Sequence, residues 1–229
     1  NVGYSELDLA GTFQLTSPAR KSKLPITLPG DVHTALLEAG EIPDPYFGAN
    51  EQAVMWVHAT PWTVERRFTA TPADVDGYLT LTLQEVDCIA TVFLNGEEIA
   101  RTQNQFIRYD IDVTGKVKAG ANMLRLEFAI TKDVAKARYG AHPFPIPYTL
   151  NYLSNGLPGV HMNFVRKTAC HAGWDWGIRL MPTGVYGRMA LRKSRLARQE
   201  SVQVTQAHGK SSVELSIRTI VHAFAEGSV

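Results

Sequence analysis

The stretch that decides the fold is Leu79-Thr80-Leu81-Thr82-Leu83-Gln84, which runs on through residues 89–94 to Asn95-Gly96. Its leucines alternate with polar residues at a period of two, and this alternation predicts a half-buried β-strand. Asn95-Gly96 follows a second apolar run. The dipeptide is typical of a two-residue hairpin turn, because both of its positions need a positive φ.

The same period continues outward from this stretch. Two further segments alternate in the same way, and their apolar positions are Ile107, Tyr109, Ile111, Val113, Leu124, Leu126, Phe128 and Ile130. Several short strands separated by turn residues predict an all-β sandwich or jelly roll. One short helix is predicted before them, with Asp31 as its N-cap, Gly40 after its end, and one apolar stripe of Val32, Ala35, Leu36 and Ala39.

A new alternation begins late in the chain, at Val202 and Val204, and continues at Val213, Leu215 and Ile217. Two strands are too few to bury a sheet face. We therefore expect residues 1–193 to form the sandwich domain, and residues 194–229 to be a linker and the incomplete start of a second β-domain.

Composition excludes several classes of function. The 229 residues carry 23 basic and 22 acidic side chains, without the basic excess of a nucleic-acid-binding protein. No apolar run approaches the length that spans a membrane, so neither nucleic acid nor membrane is expected as a partner. Phosphate-binding glycine loops are missing and the seven histidines are scattered, so no cofactor and no metal site is predicted. Cys88 and Cys170 are expected to be two buried thiols.

The segment Gly173-Trp174-Asp175-Trp176-Gly177 is the candidate site. A carboxylate accepts strong hydrogen bonds from hydroxyls, and an indole offers a flat apolar face, a combination that suits a sugar ring. The alternative is a tight turn whose tryptophans fill a sheet core. Residues 142–161, rich in proline and aromatics, predict an ordered loop that either borders a site or covers a sheet edge.

The chain resembles the β-mannosidases of glycoside hydrolase family 2 from about residue 4 to about residue 191. The segments that carry the resemblance, in order, are Pro29-Gly30-Asp31-Val32-His33, Ile42-Pro43-Asp44-Pro45-Tyr46, Val86-Asp87, Val92-Phe93-Leu94-Asn95-Gly96, His161-Met162-Asn163-Phe164-Val165-Arg166-Lys167 and the Trp-Asp-Trp segment. The resemblance implies a galactose-binding-domain-like jelly roll, followed by an immunoglobulin-like sandwich and a (β/α)8 barrel.

The resemblance also implies a function. Family members are retaining exo-enzymes that remove terminal non-reducing β-D-mannose residues with two glutamates of the barrel. Trp174 and Asp175 match the positions that contact the terminal mannose in the −1 subsite, and we expect Trp176, Tyr148 and Tyr152 to support that pocket. Asn50-Glu51 looks like the family's acid/base dipeptide, but it lies in an early loop, so no residue of this chain is predicted to be catalytic.

The expected partners are β-mannoside or manno-oligosaccharide ends and a catalytic barrel of the same polypeptide. This chain would be an N-terminal fragment of the enzyme and inactive alone. Two alternatives remain, a stand-alone carbohydrate-binding module and a purely structural docking domain.

Overall fold

The computed structural model describes residues 4–146 and 161–224, and the fold rests on antiparallel β-strands. In chain order the strands of these residues are β1 (Tyr4–Asp8), β2 (Gly11–Thr16), β3 (Leu24–Leu28), β4 (Gly30–Asp31), β5 (Trp62–Ala70), β6 (Tyr78–Gln84), β7 (Val86–Asp87), β8 (Ala90–Leu94), β9 (Glu97–Thr102), β10 (Arg108–Asp112), β11 (Gly120–Phe128), β12 (Gly184–Val185), β13 (Met189–Ser194), β14 (Ala197–His208) and β15 (Val213–Ala223).

Two of the sheets form the layers of a sandwich. The six-stranded sheet has the order β3-β2-β5-β11-β8-β9, and the four-stranded sheet has the order β1-β13-β6-β10. Leu81 and Leu191 of the smaller sheet share one buried core with Val64 and Leu126 of the larger sheet. A short three-stranded sheet, β4-β12-β7, accompanies the two layers. This architecture confirms the predicted all-β jelly-roll sandwich.

The helices are short and more numerous than the single helix predicted. The described residues contain the α-helices α1 (Val32–Glu38), α2 (Asn50–Ala53), α3 (Pro72–Val75) and α4 (Thr131–Gly140), and 3-10 turns at Val57–Ala59, Met162–Phe164 and Ala169–His171. The predicted helix is α1, and its cap is as expected, because Asp31 Oδ1 accepts from the Thr34 amide at 3.1 Å. The other α-helices have no apolar stripe, since α2 and α3 are single turns and α4 buries only Thr131 and Ala135.

The β6 strand is buried on both faces, whereas its alternation predicted one exposed face. Thr80 and Thr82 are as inaccessible as the leucines between them. The Thr82 hydroxyl donates to Asp110 Oδ1 at 2.7 Å, and the Thr80 hydroxyl accepts from Arg198 at 2.9 Å. Polar partners from strands that are distant in the sequence therefore cover the face that the pattern assigns to water. The Asn95-Gly96 turn between β8 and β9 is confirmed, with φ values of 55° and 89°.

Strands β14 and β15 form a long hairpin beside the sandwich. Val204 pairs with Ile217 in its register, and both side chains are exposed, at 50% and 63%. At its base Phe224 stacks on Tyr78 at 4.3 Å, and the Tyr78 hydroxyl donates to the Phe224 carbonyl at 2.5 Å. The hairpin is thus tied to the sandwich at one end while its apolar face stays uncovered by the described residues. No helix in the described ranges is long and apolar enough to span a bilayer.

Candidate functional site

Residues 172–179 form a small hairpin that presents the Trp-Asp-Trp segment. An antiparallel bridge joins Ala172 to Arg179, and Trp174 and Gly177 exchange backbone hydrogen bonds of 3.3 and 3.2 Å. Gly173 has a φ of +106°, a conformation that favours glycine. A Cβ on Gly177 would lie 3.2 Å from the Cβ of Trp174, so the glycine lets the turn close tightly. The result is a turn with Asp175 and Trp176 at its tip.

The side chains of this turn point away from the core. Asp175 is exposed, and Trp174 and Trp176 are exposed at 37% and 86%. The alternative in which both indoles fill a sheet core is therefore wrong. Trp176 also lines the groove described next, and its role in supporting the pocket stays a prediction. Tyr148 and Tyr152, the other predicted supporting residues, lie outside the described residues.

Trp174 borders a wide groove with a cavity volume of about 1070 Å³. The lining comes from the loop before α2, from Glu51 of α2, and from residues 168–182 on both sides of the turn. The lining residues are Pro45, Tyr46, Gly48, Glu51, Thr168, Ala169, Cys170, His171, Trp174, Trp176, Gly177, Ile178, Leu180 and Pro182. The lining mixes aromatic and apolar side chains with a few polar groups, as binding sites for small molecules do.

An ion pair between the buried Arg179 and the partly exposed Glu51 joins the turn to α2. Arg179 is only 4% exposed, and its Nη2 lies 3.7 Å from Oε1 of Glu51. Sequence reasoning set Asn50-Glu51 aside as a dipeptide without a catalytic role and did not connect it with the Trp-Asp-Trp turn. The structure brings Glu51 to the groove and gives it a cationic partner, so the pair ties α2 to the Trp-Asp-Trp turn.

A fully buried ion pair lies at the start of the segment 168–182 that lines the groove. Lys167 donates to Oδ2 of Asp87 and to the Pro182 carbonyl, the latter at 2.6 Å. Burial lowers the pKa of Lys167, and the charge of Asp87 opposes that effect. Asp87 is completely buried at the end of β7, which pairs with β12. A charged residue inside an apolar strand segment signals a buried partner, and this signal was present in the sequence at Val86-Asp87.

Two buried histidines lie near these pairs. Burial lowers the pKa of His33 to about 4, and it does the same for His58, whose charge is disfavoured further by Lys132, His33 and Arg179. Both nitrogens of His33 and Nδ1 of His58 have no hydrogen-bond partner among the described residues. Both side chains are therefore neutral at pH 7, and they make this part of the fold sensitive to acid.

The two cysteines differ in environment. Cys88 is buried as expected, and burial raises its pKa to about 12. The prediction was wrong for Cys170, which is exposed and lines the groove because the 3-10 turn that carries it covers no core. Within the described ranges, His, Cys, Asp and Glu side chains nowhere gather into a group of three that could hold a metal ion.

Comparison with known proteins gives consistent matches. The chain is 28% identical to a probable β-mannosidase of Caenorhabditis elegans over 95% of its length, and 32% identical to the β-mannosidase of Bos taurus over 79%. It spans only 25% and 20% of those two proteins. The crystal structure of the β-D-mannosidase from Dictyoglomus thermophilum superposes on 96% of this chain, with a TM-score of 0.87 and 26% identity, and the match covers 26% of that protein.

A family model supports the same assignment. The model described as glycosyl hydrolase 2 galactose-binding domain-like matches residues 13–187, which is more than half of the chain. The match includes the Trp-Asp-Trp turn and most strands of the sandwich, but not β1 or β13. This chain therefore belongs to the glycosyl hydrolase 2 galactose-binding domain-like family.

Proposed function

We propose that this chain supplies part of the −1 subsite of a retaining exo-β-mannosidase, which removes terminal non-reducing β-D-mannose residues. The observation that carries the proposal is the position of Trp174 and Asp175, one lining the groove and the other exposed at the tip of the same turn. The relatives that match most of this chain are named β-mannosidases, which supports the substrate class.

The two side chains have complementary tasks in this proposal. The Trp174 indole is half-exposed, so it can cover the C–H face of a pyranose and donate its N–H to a hydroxyl. The Asp175 carboxylate accepts hydrogen bonds from sugar hydroxyls, and such charge-assisted bonds are strong. A wall of this kind closes one end of a pocket, so that only the terminal sugar of a chain fits.

The bond-breaking chemistry belongs to another part of the polypeptide. A retaining glycosidase needs two carboxyl groups about 5 Å apart. Of the described residues that line the groove, Glu51 is the one carboxylic acid, and it is paired with Arg179. We therefore assign catalysis to two glutamates of a (β/α)8 barrel outside this chain, and we expect the 229-residue chain alone to be inactive.

The domain organisation follows the same proposal. Residues 1–193 form the sugar-contacting sandwich, and residues 194–229 contain the first hairpin of an immunoglobulin-like domain. The uncovered apolar face of β14 and β15 supports this division, because an isolated hairpin is marginally stable and its face needs further strands.

The test is the variant Asp175→Ala in the full-length protein, assayed on an aryl β-mannoside. We expect kcat/KM to fall about 10- to 100-fold, because the hydroxyls that Asp175 binds lose a charged acceptor. The matched control is Asp76→Ala, which removes another exposed carboxylate, paired with the exposed Arg195. A normal kcat/KM for Asp175→Ala would contradict the proposed role, and equal losses in both variants would point to a general charge effect.

A further inference from the structure

His171 stands between a buried carboxylate and the groove. Its Nδ1 is buried and lies 3.7 Å from Oδ2 of Asp87, while the ring is 28% exposed and lines the groove. Because Nδ1 is the inaccessible part, the exposed part of the ring is the edge away from Asp87. The backbone of His171 is held on both sides, since its amide donates to Thr168 at 3.2 Å and its carbonyl accepts from Met181 at 2.8 Å.

Two buried polar atoms at this position lack partners. Nδ1 of His171 and Oδ1 of Asp87 make no hydrogen bond to any described residue, although both are inaccessible. Leaving such atoms unpaired is costly, and in native proteins it calls for an explanation. The distance of 3.7 Å between Nδ1 of His171 and Oδ2 of Asp87 is slightly too long for a hydrogen bond. Small shifts on ligand binding commonly shorten contacts of this kind.

Asp87 has acceptor capacity left for a hydrogen bond from His171. Lys167 already supplies a positive charge to Oδ2. A carboxylate has about four lone-pair positions, so Asp87 can still accept a hydrogen bond from a further donor. The Nδ1–H group of an imidazole is such a donor. When the proton is on Nδ1, Nε2 at the exposed edge becomes a hydrogen-bond acceptor.

We propose that His171 is a further sugar-binding residue of this groove, which accepts a hydroxyl hydrogen bond at Nε2, and that Asp87 positions its ring. The inference rests on the proposed function, because it takes the groove to be a sugar site. It adds a side-chain acceptor beside Trp174, on the same segment of chain. Sequence reasoning treated His171 as an ordinary histidine, since the sequence does not reveal that Asp87 lies behind it.

Two substitutions separate a binding role from a structural role. In His171→Asn the side-chain amide reaches the position of Nδ1 beside Asp87 and leaves the position of Nε2 empty. In His171→Gln the longer side chain brings its amide to the position of Nε2 and gives up the contact with Asp87. His208→Asn is the matched control, because His208 lies on the exposed β14 strand beside Gln206, away from the groove.

The measurement is the steady-state hydrolysis of an aryl β-mannoside by the full-length protein and these variants, with the melting temperature of each. We expect His171→Asn to lose about 10-fold or more in kcat/KM, mainly through a higher KM, and His171→Gln to lose about threefold. The control should match the wild type. If the Gln variant is as impaired as the Asn variant, or more impaired, the role of His171 is structural and the inference is wrong.

The same assay distinguishes this inference from the proposed function. If the wild type cleaves the mannoside, Asp175→Ala is impaired and His171→Asn is not, the inference fails and the proposed function stands. If the wild type cleaves no β-mannoside, the proposed function fails and the inference falls with it.

Discussion

Acid should destabilise this domain through His33 and His58. Both are buried, and burial lowers the pKa of each from its ordinary value of 6.5 to about 4. Between pH 6.5 and pH 4 these histidines are protonated in the unfolded chain but remain largely neutral in the folded chain. The free energy of unfolding therefore falls as the pH drops through this range. The stability that the two neutral histidines contribute is fully present above about pH 6.5 and is lost as the pH falls towards 4.

The size of the effect follows from the two pKa values. For one such histidine the loss is about 0.2 kcal/mol at pH 7 and about 2 kcal/mol at pH 5. The two histidines together should therefore remove about 3–4 kcal/mol between these pH values, a large share of the 5–15 kcal/mol typical of a domain. Since the charge of His33 also acts on His58, the two contributions are coupled.

Urea unfolding of the chain at pH 7 and pH 5 measures this loss, with the double variant His33→Leu/His58→Leu for comparison. Packing changes in the variant affect both pH values alike, so the difference between the pH values isolates the titration. We expect the variant to lose about 3–4 kcal/mol less than the wild type over this range. Equal losses in both proteins would show that the acid sensitivity comes from other groups, and would refute the argument from burial.

Two further predictions concern the buried ion pair and the binding of sugar. Lys167→Met leaves the Asp87 carboxylate buried and unpaired, and should lower the free energy of unfolding by about 3–5 kcal/mol. In urea unfolding the double variant Asp87→Asn/Lys167→Met should recover most of that loss, and a double variant as unstable as the single one would contradict the pairing argument. Calorimetry of this chain alone with mannose and mannobiose should show no binding, because half of the pocket is missing. Binding with a millimolar or lower Kd would instead favour a stand-alone carbohydrate-binding module.

The parts of the fold that depend on local sequence were predictable. The Asn95-Gly96 turn needs positive φ at two adjacent residues, and the sequence provides the two residue types that adopt it most readily. The N-cap of α1 is similarly a matter of Asp31 and the amide of Thr34. The burial of Thr80 was not predictable in this way, because Arg198, which covers it, lies 118 residues further along the chain.

The candidate site also has a part that depends on local sequence and a part that depends on distant residues. The Trp174–Gly177 turn is local, and its glycines and its exposed carboxylate could be inferred from five adjacent residues. The groove around it depends on residues that are distant in sequence, since Lys167 meets Asp87 across 80 positions. A charged residue in an apolar strand indicates that it has a buried partner but does not identify the partner. The roles of Asp87, Glu51 and His171 could therefore be assigned only from the structure.

Ion pairs help to fix the position of the segments that line the groove. Among the described residues, a small second core also contributes; its members are Ala135, Met162, Val165, Ala172 and Met181. A buried ion pair adds little net stability, yet removing one partner is costly, because the other charge is left without water. The fully buried pair of Lys167 with Asp87 therefore penalises displaced positions of the segment that carries Lys167, and the buried Arg179 beside Glu51 acts in the same direction. A sugar site gains from this arrangement, since a loop already fixed before binding loses less conformational entropy when the ligand arrives.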